Sequence, residues 1–422
     1  MLHTSDWHLG RVFHGAPLLD QQERALRRVV EVARDAAVDV VVVAGDLYDR
    51  AIPPADAVDL LGDVLHRLRA LGAVVVAITG NHDSPNRVGA LDPLLRTGGV
   101  TLRGRLDVSA PVVVSDPAGG PDLVIHPVPY LEPLAARPAS PVGDPSATPA
   151  PTRRPTQHEV LGAALDAVRS DLARRGAVRS MVVAHGFVAG AAPSDSERDL
   201  SVGNVDRVPV SVFDGVSYAA LGHLHRPQEL SDRVAYSGSL LPYSFSETVP
   251  SSVRLVQVAP DGGVVSEVVA LGCERRVATV RGRLDTLLAD PAHRAVEDHW
   301  VRAQLTDEVL PRHAMDRLRD RFAHTVVLEH LAPVAACATA EDPRRRSDQL
   351  SDLDLALAFV ADRLSREVAA DEAVVLRAAF DRVAAQRAEL IPVVADRGRP
   401  GATATGATVL HGDDGPAQGA VA

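Results

Sequence analysis

The sequence predicts an α/β fold, because short apolar runs alternate with amphipathic stretches along the first half of the chain. Four runs have the length and composition of buried strands, at residues 38–44, 73–79, 181–184 and 216–221. One helical face is formed by Leu26, Val29, Val30, Ala33 and Ala37. A second helix, expected to begin at Pro54 and end at Gly72, has a face formed by Val58, Leu61, Leu65 and Leu68. Strands that alternate with helices favour a sheet covered by helices.

The second half of the chain predicts further elements after a proline-rich segment. Seven prolines lie in residues 131–157, which predicts a loop or linker before a helix that starts near His158. Alternating apolar residues at 253–271 predict a hairpin that turns around Asp261. Residues 277–334 predict a smaller strand–helix–strand unit, with strands at 300–305 and 325–328.

The C-terminal region predicts two helices and a tail. A narrow apolar seam, with alternating spacings of three and four residues, is formed by Leu350, Leu353, Leu357, Val360 and Leu364. A second helix is expected over residues 371–390. Residues 395–422 are rich in Gly, Ala and Thr, which is typical of a disordered tail.

Composition excludes several classes of protein. The 422 residues are 46% apolar and 23% charged, which is ordinary for a globular chain and excludes a fibrous or mostly disordered one. No run approaches the ~18 uncharged apolar residues of a membrane helix. The chain starts with neither a basic leader nor an apolar run, and Cys273 and Cys337 stand far apart. We therefore expect a cytoplasmic protein without a disulfide framework or a CxxC zinc site.

The net charge and the basic residues restrict the possible binding partners only weakly. The net charge of −11 argues against a generally basic nucleic-acid binder, although a metal site with local arginines can still bind DNA. All 44 basic residues are arginine. A compositional bias explains this best, so the abundance of arginine is no sign of phosphate recognition.

Histidine and acidic residues cluster in five short segments, each directly after an apolar run. The segments are Asp6-Trp7-His8, Gly45-Asp46-Leu47-Tyr48-Asp49, Gly80-Asn81-His82-Asp83, Ala184-His185-Gly186 and Gly222-His223-Leu224-His225. In an open α/β sheet the carboxyl ends of the strands face one crevice. We therefore expect the five segments to converge there.

The residue types fit a two-metal site. Imidazole, carboxylate and amide oxygen together suit Mn²⁺, Fe²⁺ or Zn²⁺. Two such ions roughly 3.5–4 Å apart can hold a hydroxide between them and polarise a phosphoryl group. The available ligands are Asp6, His8, Asp46, Asn81, His185, His223 and His225. Taken singly, each segment is also compatible with an ordinary cap or turn, but five segments in this order disfavour a wholly structural explanation.

This order of motifs resembles the calcineurin-like metallophosphoesterase superfamily. Within it, residues 3–15 (HTSDWHLGRVFHG) resemble the opening of the SbcD family, the nuclease subunits of bacterial SbcCD complexes. So do residues 194–228 (SDSERDLSVGNVDRVPVSVFDGVSYAALGHLHRPQ) and the segments YSGS at 236–239 and YSFSE at 243–247. The motifs cover roughly residues 1–272. Leu240 departs from the family, which commonly has proline after SGS.

The resemblance implies a role for each site residue. One ion would be held by Asp6, His8 and His225, and the other by Asn81, His185 and His223. Asp46 would bridge the two ions, for which the resemblance implies Mn²⁺. His82 would face the scissile phosphate as a general acid, and the carboxylate of Asp49 would orient it and favour the imidazolium. His14 and Arg50 lie near the site in sequence, as phosphate contacts or as surface groups.

The resemblance also implies an architecture. Residues 1–272 would form a four-layered α/β/β/α nuclease core, and residues 273–342 a small α/β capping domain that closes over DNA. Arg275, Arg276, Arg281 and Arg283 are the cap's candidate backbone contacts. Residues 343–394 would form a helical hairpin that docks on the coiled coil of the ATPase partner, SbcC, ahead of the tail at 395–422. The family implies a homodimer of this chain, and so a two-plus-two assembly without membrane attachment.

The implied activity is that of a Mn²⁺-dependent DNA nuclease acting in repair, recombination and replication. It would digest double-stranded DNA from 3′ ends and cut single strands and hairpins. Two alternatives stay open. One is a different member of the superfamily that acts on a phosphomonoester, cyclic nucleotide or nucleotide sugar. The other is a scaffold subunit with vestigial ligands, which the complete ligand set disfavours.

Overall fold

The structure, a computed structural model, confirms the α/β class. It describes residues 1–116, 119–133, 155–176, 179–197, 208–332, 351–364 and 366–389. Most of the proline-rich segment, Cys337, Leu350, the predicted domain boundary at 342–343 and the tail lie outside the described residues. The chain divides into two compact units, Met1–Pro333 and Val334–Ala422.

The first unit contains two six-stranded sheets. The first sheet has the order β14 (Val264–Ala270), β13 (Ser252–Val258), β1 (Leu2–Thr4), β4 (Val40–Ala44), β5 (Val74–Ile78) and β6 (Val100–Arg103). Strands β1, β4, β5 and β6 are parallel, and β13 joins them antiparallel to β1. Strands β13 and β14 form the predicted hairpin. A short ribbon of β2 (Val12–Phe13) and β3 (Ala16–Pro17) follows β1.

The second sheet has the order β11 (Gln228–Ser231), β12 (Val234–Tyr236), β10 (Tyr218–Gly222), β9 (Arg179–His185), β8 (Leu123–Val128) and β7 (Val112–Val114). Strands β8, β9, β10 and β12 are parallel, and the two outer strands are antiparallel to their neighbours. The four predicted strands are therefore the centres of two stacked sheets, β4 and β5 in one and β9 and β10 in the other.

The two sheets pack face to face between layers of helix. Val40 and Val42 of β4 contact the second sheet, while Val41 and Val43 face the helices, because successive side chains of a strand point to opposite faces. Burial on both faces explains the unbroken apolar run of this strand. Helices α1 (Leu19–Asp35) and α2 (Ala55–Ala70) cover the first sheet, and α5 (Gln157–Arg175) covers the second. This is the predicted α/β/β/α arrangement.

Two residues of the predicted helical faces lie elsewhere. Ala37 follows the end of α1, has a positive φ of 45° and is exposed. Val58 is 45% exposed, and Ala57 and Val64 complete the buried face of α2 instead. Helix α5 begins at a capping box, in which Thr156 and Glu159 each bond the other's backbone N–H. Short helices α3 (Pro85–Val88) and α4 (Asp92–Leu95) follow β5.

The end of the first unit is a small parallel sheet with helices on one face. Its strands are β15 (Val277–Gly282), β16 (Trp300–Leu305) and β17 (Thr325–His330), joined by α6 (Leu284–Ala289) and α7 (Ala314–Arg321). The predicted strand–helix–strand unit is confirmed, with one further strand at its start. The helices cover the face formed by Val301, Ala303 and Leu305.

The described part of the second unit is a pair of helices, α8 (Asp352–Leu364) and α9 (Ala370–Glu389). Leu353, Leu357 and Val360 of the predicted seam are half-buried. The most exposed apolar side chains of the pair are Leu355, Phe359, Val374 and Val375. Within the described residues, no helix has both the length and the hydropathy needed to span a bilayer.

Candidate metal centre

All five motif segments meet at one edge of the stacked sheets. They follow β1, β4 and β5 in the first sheet and β9 and β10 in the second, so strand direction brings their side chains to the same end. Backbone hydrogen bonds join the first two of these segments directly. The N–H of Asp6 donates to Gly45 O at 3.0 Å, and that of His8 donates to Asp46 O at 2.9 Å.

Asp6, His8 and His225 form one buried group, with ligand atoms within 4.8 Å of one another. Nε2 of His8 lies 3.2 Å from Nε2 of His225. The carboxylate of Asp6 accepts the N–H of His223 at 3.0 Å and the hydroxyl of Ser5 at 2.6 Å. These three residues are the set expected for the first ion.

Asn81, His185 and His223 form a second group. Oδ1 of Asn81 lies 2.9 Å from Nε2 of His185 and 3.1 Å from Nδ1 of His223. Asp46 stands between the two groups, because its Oδ2 lies 3.5 Å from Nε2 of both His8 and His185. The structure thus brings all seven expected ligands together, with Asp46 in the middle.

The backbone is strained at these residues. In the described part of the chain seven non-glycine residues have positive φ, and four of them are Asp6, His8, Asp46 and His223. Such conformations cost on the order of 1–3 kcal/mol each and persist where surrounding structure imposes them. Position 80 requires glycine because the Asp46 carboxylate packs directly against its backbone, and a Cβ there would lie 2.1 Å from Oδ1 of Asp46. The glycines of the motifs therefore make room for the ligands.

The donor atoms of the site fit a bound cation. Nδ1 of His185 bonds Ala44 O at 2.8 Å, so in the neutral ring Nδ1 carries the proton and Nε2 presents its lone pair. That lone pair faces the oxygens of Asn81 and Asp46. Acceptor atoms that face one another need a proton or a metal ion between them, and this set of ligand atoms suits a divalent transition metal.

Comparison with known proteins places the chain in a family. Residues 1–227, more than half of the chain, match the calcineurin-like phosphoesterase family. The chain belongs to this family. Calcineurin-like phosphoesterases are metal-dependent hydrolases, and the clustered ligands described above are in accord with that chemistry.

A second match covers the end of the chain. Residues 273–363 match the type 5 capsule protein repressor C-terminal domain, SbcD_C. The two matches together support an SbcD-type nuclease. Among solved structures, TT1561 of Thermus thermophilus is 14% identical, with a TM-score of 0.34, covering 63% of this chain and 97% of that one. That TM-score is too low to support an inference.

Charges in the phosphoesterase site are tightly coupled. Burial by itself would lower the pKa of His185, but the carboxylates of Asp46 and Asp6 outweigh it and raise it to about 9. Burial raises the pKa of Asp6 to about 6. Burial and the neighbouring His185 lower the pKa of His223 to about 3. Protons thus occupy part of the site that a metal ion would take, so metal binding must release them.

The expected partner of His82 needs a correction. Nδ1 of His82 bonds the backbone carbonyl of Asp49 at 2.9 Å, and the Asp49 carboxylate instead accepts from Arg11 at 3.0 Å. Asp49 therefore contacts the imidazole through its main chain. His82 is half-buried, and its ring meets that of His8 edge-on at 4.7 Å. His8, Asp49 and His82 also form a further group with metal-ligand spacing.

Sequence reasoning gave no role to Asp83, which joins two of the site loops. Its buried carboxylate accepts the N–H groups of Leu47, Tyr48 and Gly80 at 2.9–3.0 Å. Burial raises its pKa to about 7, with a further contribution from Asp46. Its position directly after the Gly-Asn-His run was the signal that could have identified it.

Glu197 and Glu247 were missed as well, although both lie in quoted motifs. Oε1 of Glu197 accepts the backbone N–H of His225, and Oε1 of Glu247 lies 3.2 Å from Nδ1 of His225. Burial alone would lower the pKa of His225 and raise that of Glu247. The attraction between the two groups outweighs the effect of burial, so the pKa of His225 is raised to about 9 and that of Glu247 is lowered to about 2.

The predicted basic contacts of the cap separate into two kinds. Arg275 bonds Asp298 O at 3.0 Å and Arg276 bonds Thr248 O at 3.0 Å, so both hold the cap together or against the core. Arg281 lies exposed on β15, and Arg283 precedes α6. Arg302, which sequence reasoning missed, lies on β16 with its guanidinium 5.0 Å above the Phe245 ring.

His14 and Arg50 both lie at the surface of the protein. His14 is exposed, has a positive φ of 48°, and its ring lies 5.5 Å from that of Phe245. Arg50 is exposed next to Asp49. Both positions are compatible with a phosphate contact, and that role stays a prediction.

Proposed function

We propose that this chain is the nuclease subunit of an SbcCD-type complex, a Mn²⁺-dependent DNA nuclease that acts with an SbcC ATPase. The observation that carries the proposal is the convergence of the seven expected ligands, six of them around Asp46, in a chain with a second family match, to SbcD_C, that starts at residue 273. The proposed activities are 3′–5′ exonuclease cleavage of double-stranded DNA and endonuclease cleavage of single strands and hairpins, in DNA repair, recombination and replication.

The residues support hydrolysis of a phosphodiester by a two-metal mechanism. Two divalent ions, when bound, supply a nucleophilic hydroxide and neutralise charge on the phosphoryl oxygens. Asp46 is proposed to hold both ions, since one of its oxygens lies 3.5 Å from a ligand nitrogen of each group. His82 is proposed to give a proton to the departing sugar oxygen. Its Nδ1 is engaged by Asp49 O, which leaves Nε2 for the substrate.

The cap offers a surface for the DNA backbone beside this site. Arg302 and Thr279 lie on the sheet face opposite α6 and α7, where Arg302 Nε donates to Thr279 Oγ1 at 3.1 Å. Stacking on Phe245 orients the Arg302 guanidinium. Phe245 is two residues before Glu247, a neighbour of His225. A phosphate held by Arg302 would therefore lie close to the metal centre, and Arg281 on the same face would extend the contact.

The helical pair is proposed to dock on SbcC. Leu355, Phe359, Val374 and Val375 are 43–67% exposed, and an apolar helix surface of this kind is typical of a helix-in-groove contact. A homodimer of this chain and a cytoplasmic, nucleoid-associated location complete the proposal. The domain limits at 272–273, 342–343 and 394–395 belong to it as well.

A cleavage assay with matched substrates tests the proposal. The purified chain, with Mn²⁺ and with EDTA, would be given end-labelled blunt duplex, a hairpin, single-stranded DNA and a phosphomonoester. We expect Mn²⁺-dependent loss of nucleotides from 3′ ends and cutting at the hairpin, with little monoester hydrolysis. Faster hydrolysis of the monoester than of DNA would favour another phosphoesterase activity. No hydrolysis of any substrate with two ions bound would favour a vestigial site.

A further inference from the structure

The chain carries the motif Ser-x-Ser-Glu twice, at residues 194–197 and 244–247. Each copy forms a turn. In the first, Oε2 of Glu197 accepts the backbone N–H of Ser194. In the second, the N–H of Glu247 donates to Ser244 O at 3.2 Å. The ligand set described above does not explain why this motif recurs.

The two turns pack against each other. Oε1 of Glu247 accepts the hydroxyls of Ser194 and Ser196 at 2.7 and 2.6 Å. The backbone N–H of Asp195 donates to the Ser246 hydroxyl at 2.9 Å. Hydroxyls of one copy therefore bond the carboxylate of the other, and the pair forms one unit.

Both carboxylates of this unit are buried and converge on His225. Glu197 and Glu247 are 5% and 8% exposed. Glu197 bonds the His225 main chain, while Glu247 and the Ser196 hydroxyl lie 3.2 and 2.9 Å from Nδ1 of His225. Two buried carboxylates around one histidine are costly unless their hydrogen bonds are filled, as they are here.

This arrangement distinguishes His225 from the other histidines of the site. Its Nδ1 is directed at the Ser196 hydroxyl and, behind it, the Glu247 carboxylate, which fixes the ring so that Nε2 faces His8. His185 bonds a backbone carbonyl through its Nδ1, whereas the buried Nδ1 of His8 has no hydrogen-bond partner among the described residues, since the Asp49 carboxylate lies 3.8 Å away. A carboxylate behind a ligating imidazole increases its basicity toward a metal.

We propose that the paired Ser-x-Ser-Glu turns are positioning elements for His225, and that they make the ion held by Asp6, His8 and His225 the tighter of the two. Glu197, His225 and Glu247 also have metal-ligand spacing, but both oxygens of Glu247 already accept hydrogen bonds, so Glu247 acts through His225 and not as a ligand. The inference rests on the proposed metal centre and adds to it which of the two ions is bound more tightly.

Calorimetric titration of Mn²⁺ into the metal-free full-length chain tests this order. Wild type is expected to bind two ions with different affinities. Glu247→Gln is expected to weaken the tighter ion by about 10- to 100-fold, the usual effect of removing such a partner, and to leave the weaker ion unchanged. Ser196→Ala keeps both carboxylates, so it is expected to weaken binding of the same ion by a smaller factor. This variant replaces Glu247→Gln in the test if Glu247→Gln does not fold.

Asp171→Asn is the matched control. Asp171 lies on α5, outside the motif segments, and its buried carboxylate is 3.0 Å from Nε2 of His126 on β8 of the second sheet. Its replacement is expected to lower the melting temperature and leave both Mn²⁺ affinities unchanged.

Nitrogen-15 NMR of metal-free wild type is expected to show a proton on His225 Nδ1 that Glu247→Gln exposes to faster exchange.

The possible outcomes are distinct. If Glu247→Gln and Ser196→Ala leave both affinities unchanged, or weaken both ions equally, the positioning role is wrong while the metal centre stands. If wild type binds no Mn²⁺, the proposed function and this inference fail together. Selective loss of one ion, with the control unchanged, is the result that the inference requires.

Discussion

Replacement of Asp46 should remove both metal ions at once. One carboxylate oxygen of Asp46 lies 3.5 Å from Nε2 of His8 and 3.5 Å from Nε2 of His185, which belong to different ligand groups. The perturbation is Asp46→Ala, with Asp46→Asn as a milder variant that retains an acceptor for the His82 N–H. Because the two groups share this carboxylate, neither ion should keep its affinity.

The size of the effect follows from charge and distance. Two unit charges about 4 Å apart attract by about 4 kcal/mol at an effective dielectric near 20, and a divalent ion doubles this to about 8 kcal/mol. If water that replaces the carboxylate recovers half, each ion loses about 4 kcal/mol, or about 10³-fold in affinity. Such a loss exceeds what the remaining ligands of either group can offset at micromolar metal.

The assay is equilibrium dialysis against a fixed free Mn²⁺ concentration, followed by elemental analysis. Wild type and the Asp171→Asn control are expected to hold two ions per chain, and both Asp46 variants none. Two ions at full occupancy in Asp46→Ala would refute the bridging role. One retained ion would show that Asp46 is a ligand of the other ion only.

Three further outcomes are expected. His82→Ala should leave metal content unchanged and cut DNA cleavage by at least the ~10²-fold typical of a lost general acid, whereas His223→Ala should weaken metal binding; equal metal loss in both variants would make His82 a ligand. In EDTA-treated protein the raised pKa values of His185 and His225, about 9 against an ordinary 6.5, add stability that is complete below pH 6.5. The melting temperature should therefore fall as the pH rises through about 9, while Mn²⁺ affinity increases, and a flat profile would contradict this. Phe359→Glu in the exposed surface of α8 should abolish co-purification with SbcC and spare Mn²⁺-dependent cleavage, and unchanged capture would exclude this surface as the docking site.

Much of the site was predictable from sequence, because each ligand lies directly after a strand that the sequence itself identifies. Asp46 follows the apolar run of β4 and Asn81 that of β5, so parallel strands alone bring them to one edge. Residue type then restricts the chemistry to a divalent metal. The α/β class was predictable for the same local reason, since strand and helix periodicities are properties of neighbouring residues.

Other features depended on contacts that no local pattern encodes. The use of the Asp49 carbonyl, and not its carboxylate, follows from how the loop after β4 approaches His82. Val58 has the right spacing for the buried face of α2, yet only the position of the sheet beneath the helix leaves it exposed.

Residue type and short-range order were enough to identify which residues could bind metal and which strands would present them. The enclosure of His225 by two Ser-x-Ser-Glu turns from distant parts of the chain is visible only in the folded protein. The motif is visible in the sequence, but its partner is not. Hydrogen bonds between segments remote in sequence depend on how the sheets stack, and stacking is set by the packing of the whole core.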